Sequence, residues 1–96
     1  MKVMMQMHWD GVTPEQYDKM RKSVGMDENI PAGLVFHAAG FKDDAISVTD
    51  VWESADDFNA FVQNHLMSAA KEAEVEGQPH VEIFPLHATL APAFTH

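Results

Sequence analysis

The chain has 96 residues, a formal net charge of -9 at pH 7 and no cysteine. This acidic balance disfavours nucleic acid and anionic membrane surfaces as partners, and the lack of cysteine excludes disulfides and thiolate catalysis and suits the cytoplasm. No apolar run approaches the roughly 20 residues that cross a bilayer, and the first nine residues lack a signal-peptide cleavage site. We therefore expect one globular domain, 1–96, that is cytoplasmic and not inserted in a membrane.

Residues 2 to 9 alternate between apolar and polar side chains, which predicts a first strand. Its apolar face carries Val3, Met5, Met7 and Trp9. The Thr-Pro-Glu-Gln sequence at 13 to 16 predicts the start of a helix with a capping box. Gly25 predicts its left-handed end after Val24. Within this helix the inward positions are Tyr17, Met20 and Val24.

A hairpin and a second helix follow. The runs LVFHAAGF and AISVTDVWES are strand-like and are separated by Lys42, Asp43 and Asp44, which favours a tight turn. Ser54 is a helix cap. The apolar stripe of the second helix is Phe58, Phe61, Val62, His65, Leu66 and Ala69. Residues 79 to about 88 predict a fourth strand.

The element order is therefore β-α-β-β-α-β, which is typical of the α+β ferredoxin-like arrangement. It predicts a four-stranded antiparallel sheet with the pairs 4-1, 1-3 and 3-2, and both helices on one face. Several strands have apolar residues on both faces, namely Met4 and Met5, Val35 and Phe36, Val51 and Trp52, and Ile83 and Phe84. Because the face without helices would otherwise expose apolar surface, we expect a homodimer through the sheet faces.

Asp50 lies between Val48 and Trp52 on an apolar strand face, where an unpaired carboxylate is costly. A tight turn at 43 to 44 places His37 opposite Asp50, and Val35 opposite Trp52. A longer loop would break the first pair, because a slip of one residue turns side chains to the other face. An imidazole oriented by a carboxylate suits proton abstraction, although a purely structural pair is a second interpretation.

The remaining candidates are wall residues or weak metal ligands. We expect a ligand-binding wall formed by Trp52, Tyr17, His65, Phe58 and Met7, although each also suits an ordinary core. No metal is expected, because the chain has no H-E-x-x-H motif, and His80 and His87 point to opposite faces of one predicted strand. Glycine-rich phosphate loops and a serine nucleophile elbow are also lacking.

Four segments carry a family resemblance: VTDVWESADDF at 48 to 58, WDGVTPEQY at 9 to 17, GLVFH at 33 to 37 and EGQPHVE at 76 to 82. With them the chain resembles the dimeric α/β-barrel superfamily that includes the antibiotic biosynthesis monooxygenase domain. It is most similar to a group of small, mostly uncharacterised actinobacterial proteins. The resemblance implies a homodimer with a pocket between the helices and the sheet of each protomer.

Activities in this superfamily include cofactor-independent oxygenation of aromatic polyketides, haem degradation, and isomerisation or cyclisation. Trp52 matches the pocket tryptophan of the first two branches, whereas their strand-1 asparagine is replaced by the Met5-Gln6-Met7 stretch. His65 is the candidate axial ligand if haem binds. His37 and Asp50 match the narrower group.

Two functions follow as hypotheses. The first is a cofactor-independent enzyme of monooxygenase, isomerase or cyclase type that acts on a hydrophobic aromatic or polyketide-like molecule. His37 would be the base and Asp50 its orienter. The second is a non-catalytic dimer that binds a small apolar ligand or haem.

Overall fold

The computed structural model describes residues 1 to 90 and contains a four-stranded antiparallel sheet covered on one face by helices. The strands are β1 (Val3–Asp10), β2 (Leu34–Lys42), β3 (Ala45–Trp52) and β4 (His80–Pro85). The helices are α1 (Pro14–Val24), α2 (Ala55–Phe61) and α3 (Met67–Glu72), and a π-helical turn, Val62–Leu66, joins the last two. The sheet order β2-β3-β1-β4 confirms the predicted ferredoxin-like topology. None of the helices within residues 1 to 90 combines the length and apolar character required to span a membrane.

The predicted limits of α1 are confirmed by its caps. The Thr13 hydroxyl accepts a hydrogen bond from the backbone N–H of Gln16 at 3.1 Å, and the Gln16 side chain accepts one from the backbone of Thr13 at 3.0 Å. Gly25 ends the helix in the left-handed region with φ 74°. Because residues four apart share a helix face, this helix presents Tyr17 and Arg21 together toward the sheet.

The hairpin turn sets the register of the central strand pair. Asp43 and Asp44 have φ values of 53° and 59°, as a two-residue turn with two left-handed positions requires. From this turn the strands pair without interruption up to His37 and Asp50, which lie opposite each other. The predicted opposition of His37 and Asp50 is therefore confirmed.

The expected pairing of Val35 with Trp52 is wrong. A register shift between Leu34 and Phe36 places Leu34 opposite Trp52, so β2 has one extra residue at this point. Leu34 packs against the core, whereas Val35 is 48% exposed. Since the irregularity lies farther from the turn than His37, it leaves the His37 pairing unchanged.

The start of β2 packs closely against α2. Gly33 has φ 88°, and a Cβ atom at this position would lie 2.5 Å from a carboxylate oxygen of Asp57. Its carbonyl also accepts a hydrogen bond from the backbone N–H of Glu53 at 2.7 Å. Glycine is therefore required here both for the left-handed conformation and for the close approach of the helix.

The core lies between the sheet and the helices, with Trp52, Met5 and Val12 as its largest fully buried side chains. Two predicted boundaries differ from the structure. The fourth strand ends at Pro85 instead of about residue 88, and one further backbone hydrogen bond follows it, from the N–H of Leu86 to the carbonyl of Lys2 at 3.0 Å. The second helix is not uniformly α-helical, and its π turn changes which residues face inward.

Candidate functional site

Asp50 is the one polar or charged residue that is buried within residues 1 to 90, with 4% of its surface exposed. β3 directs it to the helix-covered face beside Trp52. One carboxylate oxygen accepts a hydrogen bond from Nδ1 of His37 at 2.6 Å, and the other accepts one from Nε1 of Trp52 at 3.0 Å. Both oxygens therefore have strong partners, which is the condition under which a buried carboxylate is tolerated.

The contact with Asp50 fixes the tautomer of His37. An ionised carboxylate only accepts hydrogen bonds, so Nδ1 carries the imidazole hydrogen. In the neutral ring, Nε2 then accepts a hydrogen bond from the hydroxyl of Tyr17, whose oxygen is 2.7 Å away. The two ring planes differ by only 4°, which suits a hydrogen bond close to the plane of both rings.

Arg21 lies on the other side of the Tyr17 oxygen. Its Nη1 donates to that oxygen at 3.4 Å, while Nη2 and Nε donate to one carboxylate oxygen of Asp27 at 2.7 and 3.2 Å. The hydrogen bond with Asp27, followed by that with Tyr17, raises the pKa of Arg21 above its usual value. The guanidinium is thus a fixed positive charge next to the phenol.

Together these contacts form one hydrogen-bonded chain, Asp50–His37–Tyr17–Arg21–Asp27, hereafter the polar chain. The chain connects the buried centre of β3 to the surface loop that follows α1. A proton that leaves the phenol can be received by the imidazole, and the arginine stabilises the negative charge that remains. The arrangement has the parts needed for general acid and base chemistry.

The polar chain borders an apolar cavity between the sheet and the helices. The cavity volume is about 70 Å³, and the whole space between the lining residues, with its open mouth, is about 640 Å³. The methionines of the lining are Met5, Met7, Met20 and Met26. These unbranched side chains can adapt to a ligand larger than the enclosed space.

Most of the predicted wall residues meet at this cavity. Its lining contains Met7, Tyr17, Phe58 and Trp52, together with His37 and Asp50. The indole of Trp52 also packs against Phe58, with ring centroids 5.7 Å apart.

His65 is the exception among the predicted wall residues. It is exposed on the π-helical turn, with its ring centroid 5.9 Å from that of Phe61, and it is not part of the cavity lining. Leu66, another member of the predicted stripe, does line the cavity, whereas His65, its neighbour on the π-helical turn, does not.

Three features of the site were missed in the sequence. Arg21 lines the cavity, and Asp27 orients the guanidinium of Arg21. The Trp52 indole is a hydrogen-bond donor to Asp50. Tyr17 and Arg21 are four residues apart on the inward face of a predicted helix. This spacing was a usable signal that Arg21 lines the cavity. Nothing local indicated Asp27, because its role depends on the path of the loop.

The described residues do not fit haem at this cavity. His65 lies outside the lining, and both ring nitrogens of His37 already bind protein partners. No group of three or more histidine, aspartate or glutamate side chains that could hold a metal ion is found in residues 1 to 90.

No protein-family model matches the chain, and no curated protein matches its sequence. Among solved structures, it is similar to SnoaB, a cofactor-independent oxygenase from Streptomyces nogalater, with a TM-score of 0.66 and 18% identity over 93% of this chain and 96% of that chain. A Nitrosomonas europaea protein of unknown function gives a TM-score of 0.67 and 17% identity, over 94% of both chains.

A third similar structure is the monooxygenase from the gene ActVA-Orf6 of Streptomyces coelicolor in complex with nanaomycin D. Its TM-score is 0.59 and its identity 17%, over 93% of this chain and 91% of that chain. At such identities the likeness shows the fold alone, and membership of the narrower actinobacterial group stays a prediction. The chain has the α+β ferredoxin-like fold that antibiotic biosynthesis monooxygenase-type proteins share.

Proposed function

We propose that this protein is a small homodimeric enzyme that removes a proton from a hydrophobic aromatic or polyketide-like molecule without a cofactor, as a monooxygenase, isomerase or cyclase. The observation that carries the proposal is the His37–Asp50 pair, held at 2.6 Å beside an apolar cavity. A cofactor-independent oxygenase and a monooxygenase bound to nanaomycin D share the fold, which supports the same general type of reaction here.

Proton abstraction needs an acidic carbon and the imidazole as the final proton acceptor, and it needs no cofactor. His37 takes up the proton, and Asp50 holds the resulting imidazolium, while the electron pair stays on the substrate as a carbanion. In an oxygenase reaction on an anthrone, one O₂ is consumed. One oxygen atom becomes the new carbonyl oxygen, and the other leaves as water with the two methylene hydrogens. In an isomerase, the proton returns to another atom.

The homodimer is part of this proposal. On the sheet face without helices, four residues form a row that crosses all strands, hereafter the outer apolar row: Phe36, Val51, Met4 and Phe84. Val51 is only 5% exposed, so a second copy would remove from water mainly the exposed part of the row, which includes Phe84 at 36%.

A non-catalytic binding protein is the second candidate, and one observation favours it. Both ring nitrogens of His37 are engaged by protein groups, as expected for a pair that only stabilises the fold. A binding protein would retain ligand affinity and would show no proton exchange.

The test uses 1,8-dihydroxy-9-anthrone as substrate and nanaomycin D as a non-reacting probe. Deuterium exchange at the anthrone methylene, followed by NMR under nitrogen, reports proton abstraction, and oxygen uptake in air reports oxygenation. Quenching of tryptophan fluorescence reports binding, because Trp9 and Trp52 line the cavity. His37→Ala should lower exchange by about 100-fold or more and leave the dissociation constant of nanaomycin D near the wild-type value.

The matched control is His8→Ala, because His8 also pairs with an aspartate, Asp10, at 3.0 Å, but on the other face of the sheet. This variant should exchange at the wild-type rate. Wild-type protein that binds nanaomycin D without accelerating exchange would support the binding protein instead. Absence of both activities would contradict the proposal.

A further inference from the structure

The hydrogen bonds of His37 leave no imidazole nitrogen open to a substrate. Nδ1 is 2.6 Å from Asp50, and Nε2 is 2.7 Å from the Tyr17 oxygen. A general base has to reach the proton that it removes, directly or through one intervening group. The carbon edges of the ring cannot accept a proton, so a substrate in the cavity meets the base through another atom.

The Tyr17 oxygen is the next atom along the polar chain. Tyr17 belongs to the cavity lining and is partly exposed, and its oxygen lies between the imidazole and the Arg21 guanidinium. The long contact with Arg21, 3.4 Å, leaves the oxygen able to accept a further hydrogen bond. We propose that Tyr17 is a catalytic residue that receives the substrate proton, and that Asp50, His37 and Tyr17 act as a triad. This inference rests on the proposed function.

The step is a double proton transfer in which atoms and charges balance. The carbon–hydrogen bond of the substrate breaks, and its proton forms a new O–H bond with Tyr17. The original phenolic proton moves to Nε2 of His37, so the imidazole becomes an imidazolium that Asp50 holds. The electron pair stays on the substrate, and no oxidant or further reactant takes part.

Arg21 has a positioning role in this step. Negative charge on the Tyr17 oxygen during the transfer lies beside the guanidinium, which Asp27 holds through Nη2 at 2.7 Å. An arginine guanidinium keeps its charge over the whole pH range of an assay, and the hydrogen bonds with Asp27 and Tyr17 raise the pKa of Arg21 further. It therefore favours the state in which the proton leaves the phenol, without being titrated itself.

Tyr17 is the only tyrosine in the sequence, so tyrosine analogues change this residue alone. Tyr17→Phe removes the hydroxyl and keeps the ring. In the anthrone exchange assay we expect it to lower the rate by about 100-fold or more, with little change in nanaomycin D binding. Ser23→Ala is the matched control, because it removes a hydrogen-bonded hydroxyl from the same helix, at a position that contacts Glu72 and lies outside the cavity lining. It should exchange normally.

Replacement of tyrosine by 3-fluorotyrosine during expression gives a second readout. The fluorinated phenol gives its own proton to His37 more readily, so the plateau rate of exchange should change if the phenol takes part in proton transfer. A structural hydroxyl would leave that rate unchanged, since the fluorinated ring keeps its hydrogen bond.

Failure of this inference can be told from failure of the proposed function. Wild-type exchange that is lost in His37→Ala but remains within a factor of about two in Tyr17→Phe would overturn the role of Tyr17 and leave the His37–Asp50 pair as the base. An unchanged plateau rate in the fluorotyrosine protein would also overturn it. If wild-type protein neither binds nanaomycin D nor accelerates exchange, the proposed function fails, and the triad fails with it.

Discussion

Asp50 shows how a single buried carboxylate organises its neighbours. It determines the tautomer of His37 and gives the Trp52 indole its hydrogen-bond partner, while only 4% of the residue is exposed. Since the carboxylate accepts from both side chains, its loss would leave two buried donors without acceptors. Such groups are costly because their desolvation is no longer offset.

The first prediction concerns this residue. Asp50→Asn should destabilise the protein by about 3 kcal/mol, because an amide has one acceptor oxygen for two donors and places its own NH₂ group against one of them. Urea denaturation followed by tryptophan fluorescence measures the change.

Asp10→Asn is the control for this prediction. Asp10 also pairs with a histidine, but its side chain is 89% exposed, so the effect should stay below about 0.5 kcal/mol. Equal losses of stability in Asp50→Asn and Asp10→Asn would show that the buried hydrogen bonds of Asp50 stabilise the protein no more than the exposed Asp10 pair.

At the scale of elements, the junction between Gly33 and Asp57 aligns the start of β2 with the start of α2. It lies next to the strand irregularity that turns Leu34 inward. The hairpin turn at the other end of β2 fixes the register of His37. The register of the His37–Asp50 pair is thus set by the turn, and the inward position of Leu34 lies next to the glycine junction.

The second prediction tests the glycine junction. Gly33→Ala should destabilise the protein by about 2 kcal/mol or more, because alanine is strained at φ 88° and its Cβ would overlap the Asp57 side chain. Thermal denaturation followed by circular dichroism measures the shift.

Gly40→Ala provides the comparison on the same strand. No atom lies within 4 Å of a Cβ added at Gly40, and its φ is not in the left-handed region, so the change should be neutral or stabilising by up to about 1 kcal/mol. A Gly33→Ala protein that denatures at the wild-type temperature would contradict the close packing of Gly33 against Asp57.

At the scale of the whole molecule, the two faces of the sheet differ in composition. The inner face carries the core and the cavity, whereas the outer face combines the outer apolar row with a polar group of Gln6, His8, Ser47, Thr49, His80 and Glu82. A net charge of -9 per chain opposes association of two copies. The proposed dimer therefore depends on apolar burial at the row.

The third prediction tests the proposed dimer. Phe84→Glu places a charge in the outer apolar row, where Phe84 is 36% exposed, and should convert a dimer to a monomer in light scattering after size exclusion. Ile30→Glu is the control, because Ile30 is 72% exposed on the loop after α1 and should leave the mass unchanged. A monomeric wild-type protein would contradict the dimer.

The sequence by itself determined the elements, their order and the register of the hairpin. Capping patterns, apolar periodicity and turn residues act over a few positions, so the limits of α1 and the opposition of His37 and Asp50 could be read from local signals. The strand irregularity at Val35 and the π turn that carries His65 could not, because both depart from regular spacing without a local sequence signal.

Only the tertiary structure decided that Tyr17 and Arg21 complete a chain with His37 and Asp50. These side chains lie on a helix and two strands, and hydrogen bonds depend on distances that are set after the helix docks on the sheet. Local propensity fixes which face a residue points to, but the few tenths of an ångström that separate a contact from a hydrogen bond come from the packing of the whole fold.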